Sequence, residues 1–187
     1  MSKKIINDHF NKHIDVFEKL KTHIDLIYLI GNEIRNCLKK EGKLLICGNG
    51  GSASDAQHIA AELIGRYVKE RVAVPAISLS TDTSVITAIS NDYGYRHIFS
   101  RQISAIANSG DIVLLLSTSG NSLNIVEAIK TAKNLNLKTI GFFGANSGKA
   151  VKMVDHSIRV PSKITAHIQE AHIFLGHIIC SMVDSDF

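Results

Sequence analysis

Tryptophan is absent from this sequence, and all aromatic residues together make up only 6% of it. That leaves little material for a platform on which nucleic-acid bases could stack. Proline is nearly as scarce, with two in 187 residues, and no Pro-rich linker or low-complexity segment interrupts the chain. The three cysteines, Cys37, Cys47 and Cys180, lie far apart and form no Cys-x-x-Cys pair. They read as reduced thiols and not as a disulfide framework. No apolar run approaches the ~20 residues of a membrane span. The opening residues, Met1-Ser-Lys-Lys-Ile-Ile-Asn-Asp-His9, carry charges every few positions and no apolar signal core. A net charge of +4 is modest, and the lysines are scattered apart from small pairs at Lys3-Lys4 and Lys39-Lys40. Such a balance describes a solvated basic surface rather than a nucleic-acid face. The expectation is a cytoplasmic protein that engages neither membrane nor nucleic acid.

What is present is 45% hydrophobic residues, enough at this length to bury a proper core in a single domain over 1–187. Residues 3–22 space Ile6, Phe10, Ile14, Phe17 and Leu20 by threes and fours, which predicts an amphipathic helix. A second helix follows with Ile24, Ile27, Ile30 and Ile34 on one face and Gly42 as its stop. These two exceed what a minimal α/β unit requires, so residues 1–41 are expected to cover a sheet face or pack on another subunit. Strands are predicted at 43–47, 72–79, 111–116, 139–143 and 156–160, with helices between them and a last helix at about 164–183. Strands alternating with helices predict a five-stranded parallel sheet covered on both faces.

The first strand runs into Cys47-Gly-Asn-Gly-Gly-Ser-Ala-Ser-Asp-Ala-Gln-His58. Gly48, Gly50 and Gly51 allow positive φ and a close backbone approach, and Ser52 or Ser54 is expected to cap the helix that follows, with Gln57 completing a capping box. A helix start aimed out of a glycine turn is an anion site. One turn on, His58 and Glu62 stand at i and i+4 on one face, and Asp55 shares that face as a candidate orienting partner for His58. Their plain alternative is an exposed helical pair. The third strand opens onto Ser117-Thr-Ser-Gly-Asn-Ser122, a hydroxyl-lined nest suited to one terminal phosphate. The plain alternative there is a serine-rich cap. No Gly-x-x-x-x-Gly-Lys-[Ser/Thr] occurs, which excludes a triphosphate P-loop. Gly48-x-Gly50-x-x-Ala53 fits the loose dinucleotide fingerprint, but the next suitable acid, Asp82, comes 29 residues later instead of about 20. Ser90-Asn-Asp-Tyr-Gly94 reads as a loop. On the last helix, Gln169 and His177 are separated by about 80° around the axis and roughly 12 Å along it, too far for easy binding of one ion from a single helix. His167 and His172 read as surface or packing histidines.

Taken together, Cys47-to-Leu63, Ala88-Ile-Ser-Asn-Asp-Tyr-Gly-Tyr95, Ser117-to-Ser122 and Ile168-Gln-Glu-Ala-His-Ile-Phe-Leu-Gly-His-Ile-Ile179 resemble the phosphoheptose isomerases of the sugar-isomerase (SIS) fold family. The resemblance spans nearly the whole chain. It implies the SIS fold, a flavodoxin-like three-layer α/β/α sandwich with a five-stranded parallel sheet and two additional N-terminal helices. It further implies a homotetramer with active sites at interfaces and conversion of sedoheptulose 7-phosphate to D-glycero-D-manno-heptose 7-phosphate, for lipopolysaccharide or capsule. One Zn²⁺ per subunit would be held by His58, Glu62, Gln169 and His177, with Glu62 and His177 catalytic. The implied substrate residues are Asn49, Gly50, Gly51, Glu62, Asn91, Asp92, Ser117, Thr118, Ser119, Ser122 and Gln169. The family usually carries arginine where this chain has His167. A non-catalytic relative of the replication-initiator-associating type is the alternative, and such relatives lack the acid–base pair that Glu62 and His177 supply here.

Overall fold

A computed structural model of the chain describes residues 2–146 and 148–187. Helix α1 (Ser2–Leu20) passes through one 3-10 turn into α2 (Ile24–Lys39). Only the second half of the predicted α1 stripe finds a core. Val16 and Leu20 are buried, whereas Ile5, Ile6, Phe10 and Ile14 are all more than half exposed. In α2, Ile27, Ile30 and Ile34 are buried as their spacing requires, and Ile24 is not. The turn that ends α2 differs from expectation. Glu41, not Gly42, takes the left-handed conformation, at φ 63°. Gly42 is needed for space, because a Cβ there would sit 2.7 Å from Cys37 Sγ and 3.0 Å from the Gly110 carbonyl oxygen.

Strand β1 (Leu44–Gly48) leads to α3 (Gly51–Ile64) and then β2 (Ala76–Ser78). Next come α4 (Thr83–Tyr93), a 3-10 turn at Tyr95–His97, α5 (Ile98–Ile106), β3 (Ile112–Ser117) and α6 (Leu123–Asn134). The chain then forms β4 (Lys138–Gly144), β5 (His156–Val160) and α7 (Thr165–Asp184). All five strands are parallel in the order β2-β1-β3-β4-β5, with Leu44 opposite Ile112, Ile112 opposite Lys138 and Ile140 opposite His156. The predicted second strand, 72–79, is the one that shrinks most. Only three residues pair with β1, after Pro75, and β2 forms one edge of the sheet.

Because side chains alternate across a strand, the central strands feed two cores. Leu44, Ile46, Leu114, Leu116, Ile140 and Phe142 face α2, α3 and α7. Leu45, Cys47, Val113, Leu115 and Phe143 face α5 and α6. The three-layer α/β/α architecture expected from the alternation of elements is the one observed.

His172, on the sheet side of α7, is fully buried, with its ring centre 6.1 Å from that of Phe142. Burial pushes its imidazole down to about 4, against a weaker opposite pull from the Phe143 backbone. Below about pH 6.5 the unfolded chain therefore gains a proton that the folded chain refuses until near pH 4. Stability is lost across that window as pH falls, by about 2 kcal/mol between pH 7 and pH 5. His172→Phe should flatten this slope in urea titrations at the two pH values, and an unchanged slope would show that other groups govern it.

Candidate functional site

The site lies beyond the carboxyl ends of β1 and β3, the neighbouring strands at which the sheet order reverses direction. In open parallel sheets this switch point leaves a crevice between the two following loops. The loop after β1 needs its glycines for separate reasons. Gly50 sits at φ 58°, ψ −124°, outside the range of other residues. A Cβ on Gly51 would lie 2.5 Å from Gln169 Nε2, and one on Gly48 would lie 2.5 Å from the Ser52 carbonyl oxygen.

The expected serine cap is not there. Helix α3 begins at Gly51, ahead of both expected caps, and Gly50 at its N-cap offers no side chain. The Ser52 and Ala53 amides bond instead to the carbonyls of Asn49 and Gly50, at 3.1 and 2.9 Å. Ser52 is thereby left to line a small polar cavity of about 60 Å³ with Asn49, Ser117, Thr118, Ser119, Ser122 and Gln169. Within the loop after β3, Ser117 Oγ accepts from the Gly120 amide at 3.1 Å and Ser119 Oγ accepts from the Asn121 amide at 3.2 Å. These bonds hold the hydroxyls in place without capping α6, whose N-cap residue, Ser122, makes no side-chain cap bond.

Residues that the sequence did not single out fix Asn49. Its amide forms a reciprocal pair with that of buried Asn124, at 2.9 and 2.8 Å. Tyr95 donates its hydroxyl to Asn49 Oδ1 at 3.0 Å, and Ser80 donates to the Gly48 carbonyl at 3.0 Å. Tyr95 directly follows the segment read as a loop, Ser90–Gly94. The structure instead runs α4 through Ser90, Asn91 and Asp92 to Tyr93 and stops it at Gly94, φ 87°. Asn91 and Asp92 are exposed, with Asn91 Nδ2 donating to Asp92 Oδ1 at 2.8 Å. They do not line the serine cavity.

A second cluster stands farther along α3 and α7. His58 Nε2 and Glu62 Oε1 share a hydrogen bond of 3.1 Å. The ring of His177 lies 5.0 Å from that of His58, edge to face, and Tyr67 stacks on it at 5.4 Å and 23°. Burial, then the neighbouring His58, pushes His177 below the ordinary imidazole range, while Glu62 pulls it back up. The two helices meet this closely because Gly176 faces Ile59. A Cβ at Gly176 would lie 2.6 Å from both Cδ1 and Cγ1 of that isoleucine. Asp55 does not orient His58 as expected. Its Oδ2 is buried without a hydrogen-bond partner among the described residues, and burial pushes the carboxyl up to about 6 with His58 pulling it down.

Of the four expected metal ligands, the structure brings His58, Glu62 and His177 together and sets Gln169 with the serine cavity. Among the described residues no group of three or more His, Cys, Asp or Glu side chains stands close enough together to hold a metal ion within one chain. His167 and His172 prove to be packing residues, exposed by 2% and 0%.

A family model described as the SIS domain matches residues 8–144. The chain is 46% identical over 183 residues to phosphoheptose isomerase 1 of Campylobacter jejuni, a match covering 98% of each chain. The chain belongs to the phosphoheptose isomerase family. Among solved structures, the phosphoheptose isomerase of Neisseria gonorrhoeae superposes with a TM-score of 0.93 at 39% identity, covering 99% of this chain and all of that one. That of Francisella tularensis gives 0.96 at 36% identity, covering 100% of both. For a member of this isomerase family, the serine cavity and the histidine–glutamate cluster are the two parts of the site to be explained.

The Asn49–Asn124 pair should govern the loop's stability. Asn124→Leu leaves Asn49 Nδ2 half-buried without its acceptor while Oδ1 keeps Tyr95, and should cost about 1–3 kcal/mol in a urea melt. Tyr95→Phe removes one bond from an exposed hydroxyl and should cost under ~1 kcal/mol. Equal costs would mean that the amide pair is not what holds the loop.

Proposed function

We infer that this chain isomerises sedoheptulose 7-phosphate to D-glycero-D-manno-heptose 7-phosphate. The observation that carries the reading is a carboxylate and an imidazole, Glu62 and His177, clustered around His58 on the same two helices, α3 and α7, that border the hydroxyl-lined cavity. The phosphate would enter the cavity, where Ser52, Thr118, Ser119 and Ser122 offer hydroxyl donors. A phosphate held there anchors the sugar while its reacting carbons reach toward the second cluster, which turns an encounter into an oriented reaction. Ketose–aldose exchange then needs one proton moved between C1 and C2 and others moved between the two oxygens. Glu62 is assigned the carbon proton, and His177 the oxygen protons. Tyr67 and His58 both pack against the His177 ring and limit its turning.

Two imidazoles and a carboxylate are donors that suit zinc. His58 stands 5.0 Å from the His177 ring and hydrogen-bonds Glu62 at 3.1 Å, so the three candidate donors are grouped on neighbouring helices. We assign His58, Glu62 and His177 to hold one Zn²⁺ per subunit, with Gln169 as the fourth donor. When bound, the ion polarises the sugar carbonyl and stabilises negative charge on its oxygen. Gln169 and His177 lie about two turns apart on α7, so a set drawing on both is most simply completed between subunits. The exposed apolar residues of α1 and α2, Ile6, Phe10, Ile14 and Tyr28 among them, supply faces for such an assembly, and a homotetramer is the proposed form. The three cysteines are free and buried, and no helix among the described residues is long and apolar enough to cross a membrane. A cytoplasmic enzyme that feeds the heptose of lipopolysaccharide or capsule accords with these features.

Purified protein incubated with sedoheptulose 7-phosphate should yield the aldose phosphate. Ser119→Ala and Ser122→Ala should raise KM more than they lower kcat, because phosphate contacts bind ground and transition states alike. A kcat loss at unchanged KM would remove the phosphate from that loop. Glu62→Gln should slow isomerisation by ~10²–10⁴-fold and stop exchange of the C1 or C2 hydrogen with solvent deuterium. Exchange at the native rate would place the base elsewhere. Chelation should abolish turnover and added Zn²⁺ restore it; activity that survives metal stripping would count against the assigned ligand set.

A further inference from the structure

Between α3 and β2 the chain crosses residues 65–75 without regular structure, yet its first part is tied down from below. Asp184, at the end of α7, has a side chain only 3% exposed, and its Oδ2 accepts the amides of Val68 and Lys69 at 2.7 and 3.0 Å. Its Oδ1 accepts from Arg71 Nε at 2.7 Å, and the Arg71 side chain is entirely buried. The guanidinium continues to the end of α3, where Nη2 donates to the Glu62 carbonyl at 2.9 Å and Nη1 to that of Leu63 at 2.8 Å. Carbonyls in the last turn of a helix lack intrahelical partners, so Arg71 closes that end. One buried ion pair therefore fixes both the backbone of Glu62 and the strap that carries Tyr67.

The consequence falls on His177. Tyr67 lies flat on its ring, and the amide immediately after Tyr67 is one of those held by Asp184. We propose that Tyr67 is a positioning residue for His177, held in register by the Asp184–Arg71 clamp. The strap acts through the imidazole ring and touches neither the serine cavity nor the phosphate loop. Loss of the stacked ring removes one of the contacts that set the plane of the His177 ring, and misplacement of a reacting group by about 1 Å costs on the order of 10²-fold in rate. Binding of the phosphate is left as it was.

The proposal rests on the isomerase reading for its kinetics but not for its spectroscopic signature, so the test uses both in the full-length protein. The variants are Tyr67→Ala and Tyr67→Phe, with sedoheptulose 7-phosphate as substrate and histidine ring protons observed by NMR, His177→Gln assigning the resonance. Wild type and Tyr67→Phe should show His177 ring protons moved upfield by the stacked aromatic, and their kcat should agree within about twofold. Tyr67→Ala should lose that shift and lose kcat by roughly 10–100-fold, with KM changed by less than about twofold. A Tyr67→Ala protein that keeps kcat, or a Tyr67→Phe protein that loses as much as Tyr67→Ala, would overturn the positioning role. So would a His177 resonance that is the same in all three proteins. A wild-type protein inert toward the substrate but showing the shift would remove the isomerase reading and leave the strap's hold on His177 established.

Discussion

The close approach of α7 to α3 at Gly176 is the constraint on which the rest of the site depends. His58 precedes Ile59 and His177 follows Gly176, so the two imidazoles flank the point where the helices nearly touch. Any side chain at Gly176 would have to displace a fully buried isoleucine in a close-packed layer. The parallel sheet, with its continuous apolar central strands, supplies the floor that keeps both helices at that spacing. The placing of His58 and His177 is thus tied to the packing of the residues next to them.

The site divides into two environments of different character. The serine cavity is made of loop hydroxyls and an amide pair, held by hydrogen bonds to backbone groups. The second cluster is made of titratable groups on helices, held by ring contacts and packing. Helix α7 joins them, with Gln169 against Gly51 at one end and His177 against His58 at the other. A donor nest suits a fixed charge, and a restrained imidazole beside a carboxylate suits moving protons. Placing both on one rigid helix keeps their separation constant.

Much of this was legible in the chain itself. The alternation of apolar strands and helical stripes led to the sheet, and β5 matched its predicted limits to the residue. His58 and Glu62 could be paired from spacing alone, since i and i+4 is a local relation. Harder to read were partners whose meeting is decided by the tertiary fold. Asn124 and Tyr95 reach Asn49 across 75 and 46 residues, and Arg71 meets Asp184 across 113. Nothing in their neighbours announces such contacts. Local rules also misled where the backbone satisfied itself. Ser52 and Ser54 are good caps in isolation, but the Gly50 turn provides carbonyl partners first. Asn91 and Asp92 favour loops by propensity, yet Gly94 offers a cheaper stop one residue beyond Tyr93.

The sheet's margins bear on how copies of this chain can meet. Its edge strand β2 pairs over three residues and follows Pro75, which has no amide to donate, while β5 at the other margin spans five residues and carries His156 and Arg159. Short or charged edges make poor templates for strand addition. Backbone-to-backbone association, the route toward fibrils, is therefore blunted at both margins of the sheet. What the surface does offer is a set of knobs on α1 and α2, where recognition goes by side-chain shape. Contacts of that kind fit only at defined angles, whereas a bare strand edge accepts almost any sequence.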